Sequence, residues 1–195
     1  MTEELIEFDV KLFLILNNLG SSTFDFFWLL MSNKFTNICI YCIMTYIYYN
    51  QKGKNSTFFL ILLSGILVLI TDQSTNFFKF YFQRLRPCYN DSLIDLVRLV
   101  NDYCGGKYSF FSAHSSNSFA LATFFSLIFY KRYKPIFFCL FLFASLISYS
   151  RIYLGVHFPL DVFFGSFFGI TLGLIFYRFS YWFFKKKYPK IDISF

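Results

Sequence analysis

Five apolar runs approach or exceed the length of a membrane-spanning helix, and this pattern decides what the chain can fold into. They occupy residues 23–50, 56–79, 114–130, 135–149 and 159–184. A helix needs about 20 predominantly apolar residues to cross the hydrocarbon core of a bilayer. The composition agrees, because 56% of the residues are hydrophobic and only 15% are charged, whereas a soluble domain is about 25% charged. We therefore predict an all-α integral membrane protein, a bundle of about five to six transmembrane helices.

The N-terminal segment has a different pattern. Apolar residues recur at helical spacing from Leu5 to Leu19, and the acidic residues among them fall elsewhere on the helical wheel. Such a helix lies along the membrane surface, so residues 1–22 are predicted to form an amphipathic interfacial helix. The pattern leaves open whether residues 1–35 cross the membrane. Because no linker interrupts the sequence, we predict one domain over residues 1–195.

Short basic hinges separate several of the apolar runs. They contain Lys52 and Lys54, Lys131, Arg132 and Lys134, and Lys185 to Lys187. If the helices alternate, all three hinges fall on one side, and an excess of Lys and Arg marks the cytoplasmic side of a membrane. The polar loop 88–109 and the turn 150–158 then lie on the outer side. We therefore predict a multi-pass membrane protein with its functional residues on the outer side, which for a bacterial inner (cytoplasmic) membrane is the periplasm.

The stretch 150–161 concentrates groups that are suited to phosphate chemistry. Arg151 offers a planar fork of donors that fits phosphate oxygens. His157 has a ring nitrogen that can attack or transfer a proton near neutral pH. Pro159 is typical of the first residue of a helix, which puts Asp161 one turn beyond His157. A carboxylate at that distance can hold the imidazole in one tautomer.

Two further clusters fall on the same predicted side. Lys79 and Arg86 are seven residues apart, so both cations are expected on one face of a helix that Pro87 ends. Ser112 and His114 come just before a spanning helix. The N–H groups at a helix start favour an anion, and the Ser112 hydroxyl adds a donor. All three clusters therefore indicate binding of a phosphate group.

In order, these clusters resemble the signature of the type 2 phosphatidic acid phosphatase (PAP2) superfamily. The signature reads Lys-x6-Arg-Pro, then Pro-Ser-Gly-His, then Ser-Arg-x5-His-x3-Asp. The chain matches it at Lys79, Arg86, Pro87, Ser112, His114, Ser150, Arg151, His157 and Asp161. The second motif departs from the pattern, because Phe111 replaces Pro and Ala113 replaces Gly. Ala113 therefore places a methyl group beside a backbone N–H that contacts phosphate in the family pattern.

The resemblance implies a role for each matching residue. His157 would attack phosphorus and form a phosphohistidine, Asp161 would orient His157, and His114 would protonate the leaving oxygen and then activate water. The phosphoryl oxygens would be bound by Lys79, Arg86, Ser112, Ala113 and Arg151. Because the protein supplies this positive charge itself, neither a metal nor another cofactor is expected.

The implied activity is that of a metal-independent phosphoric monoester or diphosphate hydrolase acting on a membrane lipid at the outer leaflet. The short chain is similar to small bacterial members of the superfamily, including undecaprenyl-diphosphatases, so undecaprenyl diphosphate is the first choice of substrate. Phosphatidylglycerol phosphate, phosphatidic acid and lipid A 1-phosphate are the alternatives. The expected partners are the substrate lipid and the bilayer, and nucleic acid is not expected.

Two other classes of protein compete with a lipid phosphatase. Vanadate haloperoxidase-like enzymes share the superfamily, because vanadate mimics phosphate, but they are soluble and this chain has spanning helices. A non-catalytic lipid-phosphate binder or transporter would use the cations alone. It would need neither a nucleophile nor an acid, so the pair His157 and Asp161 beside His114 favours turnover.

Several residues outside the motifs also lead to predictions. Asp72 and Asn76 share a helix face with Lys79, where they either support the site or form a polar contact between helices. Cys88 and Cys104 flank the outer loop and either form a disulfide in an oxidising compartment or stay free thiols. The other cysteines are expected to be small buried residues, namely Cys39, Cys42 and Cys139.

Overall fold

The computed structural model describes residues 3–187, and within that range the chain is all-α. Its six helices are α1 (Glu3–Asn18), α2 (Ser22–Ser32), α3 (Lys34–Phe82), α4 (Ala113–Phe129), α5 (Pro135–Tyr153) and α6 (Pro159–Lys187). Within the described range, α3, α5 and α6 are long and apolar enough to cross a membrane. The predicted all-α membrane fold is therefore confirmed. Residues 1–2 and 188–195 of the predicted domain lie outside the described residues.

Gly53 divides α3 into two arms. Its φ of 74° and ψ of −179° are non-helical, and glycine tolerates them because it has no Cβ. Ser32, just before α3, contacts Arg151, and Lys79, near the end of α3, is within electrostatic reach of the same Arg151. Both ends of α3 therefore lie at one end of the bundle and Gly53 lies towards the other. The two arms of α3 together with α4, α5 and α6 make five helical passes.

Helix α4 is the central helix and packs against α3, α5 and α6. Glycines of α6 lie against its backbone in matching order, Gly165 at Ser112, Gly169 at Ser116 and Gly173 at Ala120. A Cβ atom at Gly169 would lie 2.3 Å from the Ser116 carbonyl oxygen, so the two helices approach as closely as small residues allow. The matching order means that α4 and α6 run parallel, and their N-terminal ends meet.

The basic hinges come together at the far end of the bundle. Gln51 Nε2 donates to Tyr133 Oη at 3.0 Å, which joins the first two hinges. The Phe59 and Phe184 rings lie 5.0 Å apart, which brings the C-terminal part of α6 to the same end. The three basic segments therefore share one end, opposite the end where α4 and α6 begin.

Helices α1 and α2 cover the end where α4 and α6 begin. Asn17 Nδ2 donates to the carbonyl oxygens of Ile152 at 3.1 Å and Tyr153 at 3.0 Å. The Trp28 ring packs on Tyr149 and Tyr153, with centroids 4.9 and 5.3 Å away. Both helices are therefore attached to the last turns of α5.

One prediction for α1 is wrong. Its acidic residues were expected away from the packed face, but its buried residues are Asp9, Phe13 and Asn17, spaced four apart. By contrast, Phe8 and Ile15 are each 62% exposed. Asp9 is tolerated inside because its carboxylate is paired with Arg84 at 2.6 Å, which compensates for the loss of hydration.

The loop between α3 and α4 folds back over the end of the bundle where α4 and α6 begin. Leu85 and Tyr108 form an isolated antiparallel bridge. Cys88 and Cys104 are joined by a disulfide, with their Cα atoms 6.1 Å apart. Arg98 adds a link to α2, because its Nη2 lies 2.6 and 2.7 Å from the two carboxylate oxygens of Asp25.

The expectation that the other cysteines are buried is wrong. Cys39, Cys42 and Cys139 are all exposed on the surface of the helices. An apolar run does not reveal which of its faces meets the lipid, because lipid tails are as apolar as the interior of the bundle.

Candidate active site

The three predicted motifs meet at the end of the bundle where α4 and α6 begin. His157 is within electrostatic reach of Arg86, Arg151 and Lys79. His114 is within reach of Arg151, His157 and Lys79. A single cluster therefore brings two imidazoles and three cations together from α3, the loop after it, α4, α5 and the turn before α6.

The tight turn between α5 and α6 fixes His157 relative to Arg151. The N–H groups of Val156 and His157 both donate to the Arg151 carbonyl oxygen, at 3.1 and 3.2 Å. Gly155 has a φ of 82°, and a Cβ atom there would lie 2.8 Å from the Arg98 carbonyl oxygen. The turn therefore requires glycine at this position. The His157 side chain is buried, at 1% exposure.

Asp161 lies in the first turn of α6, as predicted, because α6 begins at Pro159. Its Oδ2 lies 3.4 Å from His157 Nδ1 and accepts the Phe158 N–H at 2.9 Å. Its Oδ1 accepts Arg84 Nη1 at 2.9 Å. The contact to His157 is long for a hydrogen bond, and catalytic contacts of this kind often tighten when substrate binds. Contact through Nδ1 leaves Nε2 as the ring nitrogen that is available for attack.

The surroundings of His157 favour the neutral imidazole. Burial holds the pKa of His157 well below its ordinary value of 6.5, and the positive charges of Arg86 and Arg151 lower it further. A protonated ring has no lone pair to offer at Nε2, whereas a neutral ring has one. The cluster therefore keeps this histidine in the form that a nucleophile requires.

Arg86 reaches the cluster from a loop, so the prediction that it extends the α3 helix face is wrong. Helix α3 ends at Phe82, and Gln83 has a left-handed φ of 48°. Just beyond this point Leu85 pairs with Tyr108, so the α-helix does not continue to Arg86. Arg86 Nε donates to the Tyr108 carbonyl oxygen at 3.3 Å and its Nη1 to the Cys104 carbonyl oxygen at 3.0 Å. The loop closed by the disulfide therefore orients this guanidinium.

The Arg151 guanidinium lies in the cluster and offers a hydrogen-bond donor to it. Its Nη1 donates to Ser32 Oγ at the end of α2. Its Nε is buried and has no hydrogen-bond partner within residues 3–187. A buried guanidinium N–H without an acceptor is costly, so a phosphate oxygen is a suitable partner for it.

The start of α4 supplies backbone donors. Ser112 is the N-cap, where its Oγ accepts the Ser115 N–H, and its own N–H donates to the Asp161 carbonyl oxygen at 3.0 Å. The groups of Ser112 therefore connect α4 to α6. Ala113 and His114 are the first residues of α4, and the first N–H groups of a helix lack acceptors within it. These two amides can receive an anion.

Asp72 and Asn76 lie below the cluster on α3. Asn76 Nδ2 is 3.5 Å from Asp72 Oδ2, and Asp72 is within electrostatic reach of Lys79. The two side chains therefore contact each other along one helix face, and their support of the site through Lys79 remains a prediction.

Sequence reasoning missed two residues near His157, namely Arg84 and Asp9. Arg84 contacts both Asp161 and Asp9, although only its neighbour Arg86 belongs to the recognised motif. Asp9 lies four residues before the fully buried Phe13. An acid at this spacing on the packed face of a helix was the available signal, because such an acid needs a buried partner.

Comparisons of sequence identify the family. The PAP2 superfamily model matches residues 54–185, which include all three motifs. The lipid A 4'-phosphatase of Porphyromonas gingivalis is 36% identical over 90% of this chain and 74% of its own length. The lipid A 4'-phosphatase of Bacteroides thetaiotaomicron is 34% identical over 91% of this chain and 79% of its own length.

Solved structures agree with the sequence comparison. The crystal structure of Aquifex aeolicus LpxE is 30% identical with a TM-score of 0.63, covering 87% of this chain and 94% of that chain. The crystal structure of a PAP2 type phosphatidylglycerolphosphate phosphatase from Bacillus subtilis has a TM-score of 0.72 over 92% of this chain and 87% of that chain. At 20% identity, the second likeness concerns the fold alone. The chain therefore belongs to the PAP2 superfamily and is a membrane lipid phosphatase.

Proposed function

We propose that this phosphatase hydrolyses a phosphate monoester of lipid A through a phosphohistidine formed on His157. The mechanism is carried by one observation, the buried His157 held between Asp161 and the cations Arg86 and Arg151. The choice of substrate is supported by the likeness to two lipid A 4'-phosphatases at 36% and 34% identity.

In the first step, the lone pair of His157 Nε2 attacks phosphorus, and a nitrogen–phosphorus bond forms as the bond to the leaving oxygen breaks. His114, which carries a proton when the negative charge of the bound phosphate offsets Arg151 and Lys79, gives that proton to the leaving oxygen, which departs as a hydroxyl group. Asp161 stabilises the positive charge that develops on the His157 ring.

In the second step, water attacks the same phosphorus atom. His114, now neutral, takes a proton from the water, and the nitrogen–phosphorus bond breaks to restore His157 and release inorganic phosphate. Lys79, Arg86 and Arg151 offset the negative charge of the phosphoryl oxygens in both steps.

The chemistry of the leaving group favours a monoester substrate. A sugar hydroxyl is a poor leaving group and needs a proton from His114, whereas a diphosphate releases a stable phosphate anion without one. Hydrolysis of undecaprenyl diphosphate, the first choice from the sequence, therefore depends less on proton transfer from His114. This diphosphate serves as the comparison substrate, together with phosphatidylglycerol phosphate and phosphatidic acid.

We also propose that the site faces the periplasm from the inner membrane, and that residues 1–195 form one PAP2-like domain. The first proposal is supported by the basic hinges, which share the end opposite the site, since an excess of Lys and Arg marks the cytoplasmic side. The second is supported by Asn17 and Asp9 of α1, which bond to α5 and α6.

Release of inorganic phosphate from the four lipids by the purified protein in detergent tests the substrate. We expect lipid A to give the highest kcat/KM and His157→Ala to release none. Phosphorus NMR of the product shows whether the 4'-phosphate or the glycosidic 1-phosphate is lost. A higher kcat/KM for undecaprenyl diphosphate would overturn the lipid A assignment and leave the mechanism in place.

The covalent intermediate has its own test. With p-nitrophenyl phosphate, whose leaving group needs no proton, His114→Ala should still form the phosphoenzyme but hydrolyse it slowly. The expected results are a burst of p-nitrophenol and a phosphoryl group on His157 that is labile in acid and stable in alkali. An unlabelled protein with full turnover would contradict the phosphohistidine.

A further inference from the structure

Asp9 connects the N-terminal helix to the start of α6. Its Oδ1 accepts the Leu160 N–H at 2.9 Å, and its Oδ2 accepts Arg84 Nη2 at 2.6 Å. The Asp9 side chain is 1% exposed. It lies outside residues 54–185, the segment that the family model matches. A residue far from the signature motifs is therefore in contact with the helix that carries Asp161.

The Arg84 guanidinium is divided between two buried carboxylates. Its Nη2 binds Asp9, and its Nη1 binds Asp161 Oδ1 at 2.9 Å. The Phe158 ring covers it, with Arg84 Cζ 4.1 Å from the ring centroid. Arg84 thus gives one terminal nitrogen to each carboxylate, and the Asp161 oxygen that it does not touch, Oδ2, faces His157.

The sharing of Arg84 between Asp9 and Asp161 affects the contact between Asp161 and His157. A guanidinium prefers to bind one carboxylate with two parallel hydrogen bonds. If Asp9 lost its charge, Arg84 would be free to take both oxygens of Asp161, and Oδ2 would be drawn away from His157 Nδ1. Asp9 therefore limits Arg84 to a single oxygen of Asp161.

We propose that Asp9 and Arg84 are positioning residues for the phosphatase reaction, holding Asp161 in the orientation that presents Oδ2 to His157. The inference rests on the proposed role of His157 and Asp161. It makes α1 a part of the catalytic unit, in addition to its predicted place at the membrane surface.

The two partners also depend on each other. Burial raises the pKa of the Asp9 carboxyl, while hydrogen bonds from Arg84 and the Leu160 N–H lower it. Without Arg84, Asp9 would take up a proton more readily, and without Asp9, Arg84 would keep only Asp161 as an ionic partner. Variants must therefore preserve shape, so that a change of charge is separated from a failure to fold.

The experiment compares Asp9→Asn with Glu7→Gln. Asparagine keeps the size of the side chain and an oxygen for the Leu160 N–H but removes the charge that holds Arg84. Glu7 is the matched control, since it is an exposed acid of the same helix, paired with Lys11 at 2.7 Å. With phosphatidic acid in detergent, we expect Asp9→Asn to lower kcat on the order of 10- to 100-fold, whereas Glu7→Gln stays within about twofold.

Further readouts separate positioning from a structural role. Neither residue is among those proposed to bind phosphate, so KM and inhibition by inorganic phosphate should stay unchanged in Asp9→Asn. Arg84→Lys, which replaces the fork with a single ammonium, should lower kcat as well. The double variant should be no worse than Arg84→Lys alone, because Asp9 acts through Arg84.

Each result decides between the proposals. If Asp9→Asn behaves like Glu7→Gln while His157→Ala is inactive, the inference about Asp9 is wrong and the mechanism stands. A rise in KM without a fall in kcat in Asp9→Asn would also overturn the inference about Asp9. So would a double variant whose loss of kcat equals the product of the two single losses. Substantial activity in His157→Ala would instead overturn the proposed function itself.

Discussion

His157 Nδ1 and Asp161 Oδ2 lie 3.4 Å apart across the start of α6. The carboxylate is held from two other directions, by Arg84 Nη1 and by the Phe158 N–H, each at 2.9 Å. His157 is held in turn by its backbone bond to Arg151 at 3.2 Å. The Asp161 carboxylate and the backbone of His157 are therefore both held by neighbouring groups, which is the arrangement that orientation of a nucleophile requires.

The first prediction concerns these two side chains. His157→Ala should abolish phosphate release, with a loss on the order of 10⁶-fold, as for removal of the nucleophile of a serine protease. Asp161→Asn should retain more activity, because the orienting Asp of serine proteases contributes roughly 10⁴-fold without reacting itself. Steady-state kinetics in detergent, with folding checked by thermal unfolding, gives both values. Substantial activity in a folded His157→Ala protein would exclude the phosphohistidine.

The second prediction concerns pH. Burial and the nearby Arg86 and Arg151 lower the pKa of His157. Its ring therefore stays neutral at pH values below the ordinary pKa of histidine and becomes protonated only in more acidic solution. The acidic limb of kcat/KM should therefore have its midpoint below pH 6.5. Arg86→Gln should move this limb to higher pH, because it removes a positive charge that keeps the ring neutral.

Lys107→Gln is the control for the pH profile. Lys107 is an exposed residue of the same loop, so its loss changes the net charge equally while leaving the surroundings of His157 intact. A shift of the same size in both variants would indicate a general effect of charge and would contradict the assignment of the limb to His157.

The contact between His157 and Asp161 could be predicted from the sequence because it is local. Pro159 begins a helix, and the spacing from His157 to Asp161 is one turn, so a contact between the two side chains follows from helix geometry. The sequence also predicted that the site and the basic hinges lie at opposite ends of the bundle, because the alternation of helices decides which connections share an end.

Other features depend on contacts distant in sequence. The end of α3 at Phe82 and the loop position of Arg86 follow from pairing with residues near Tyr108, which lie more than 20 residues later. The burial of Asp9 follows from its ion pair with Arg84 across 75 residues. Hydrophobic periodicity assigns any acid to the solvent face, so it cannot report a carboxylate that is paired inside the protein.

The third prediction tests the packing of α4 against α6. Gly169→Ala should destabilise the protein by about 1–3 kcal/mol or more, because its Cβ would lie 2.3 Å from the Ser116 carbonyl oxygen. Gly65→Ala is the matched control, since nothing lies within 4 Å of its added Cβ and alanine favours a helix by roughly 1 kcal/mol. Thermal unfolding in detergent should show a lower Tm for Gly169→Ala and an unchanged or higher Tm for Gly65→Ala. Equal Tm values for the two variants would contradict the close approach of the helices.

The fourth prediction concerns metals. Lys79, Arg86 and Arg151 are proposed to offset the phosphate charge, and within residues 3–187 no three His, Cys, Asp or Glu side chains gather as metal ligands would. Activity on a lipid phosphate should therefore survive EDTA. Loss of turnover on chelation, with recovery when magnesium is added back, would mean that the cations alone do not provide the necessary charge.

The fifth prediction concerns orientation. The site and the basic hinges lie at opposite ends of the bundle, and the positive-inside rule assigns the hinges to the cytoplasm. In a cysteine-free background, Asp102→Cys in the loop over the site should react with a membrane-impermeant maleimide in spheroplasts, whereas Lys134→Cys should react only after lysis. Both positions are exposed in the structure, so a difference in labelling reports the side of the membrane. Labelling of Lys134→Cys alone would turn the site towards the cytoplasm, where a reducing environment would also disfavour the bond between Cys88 and Cys104.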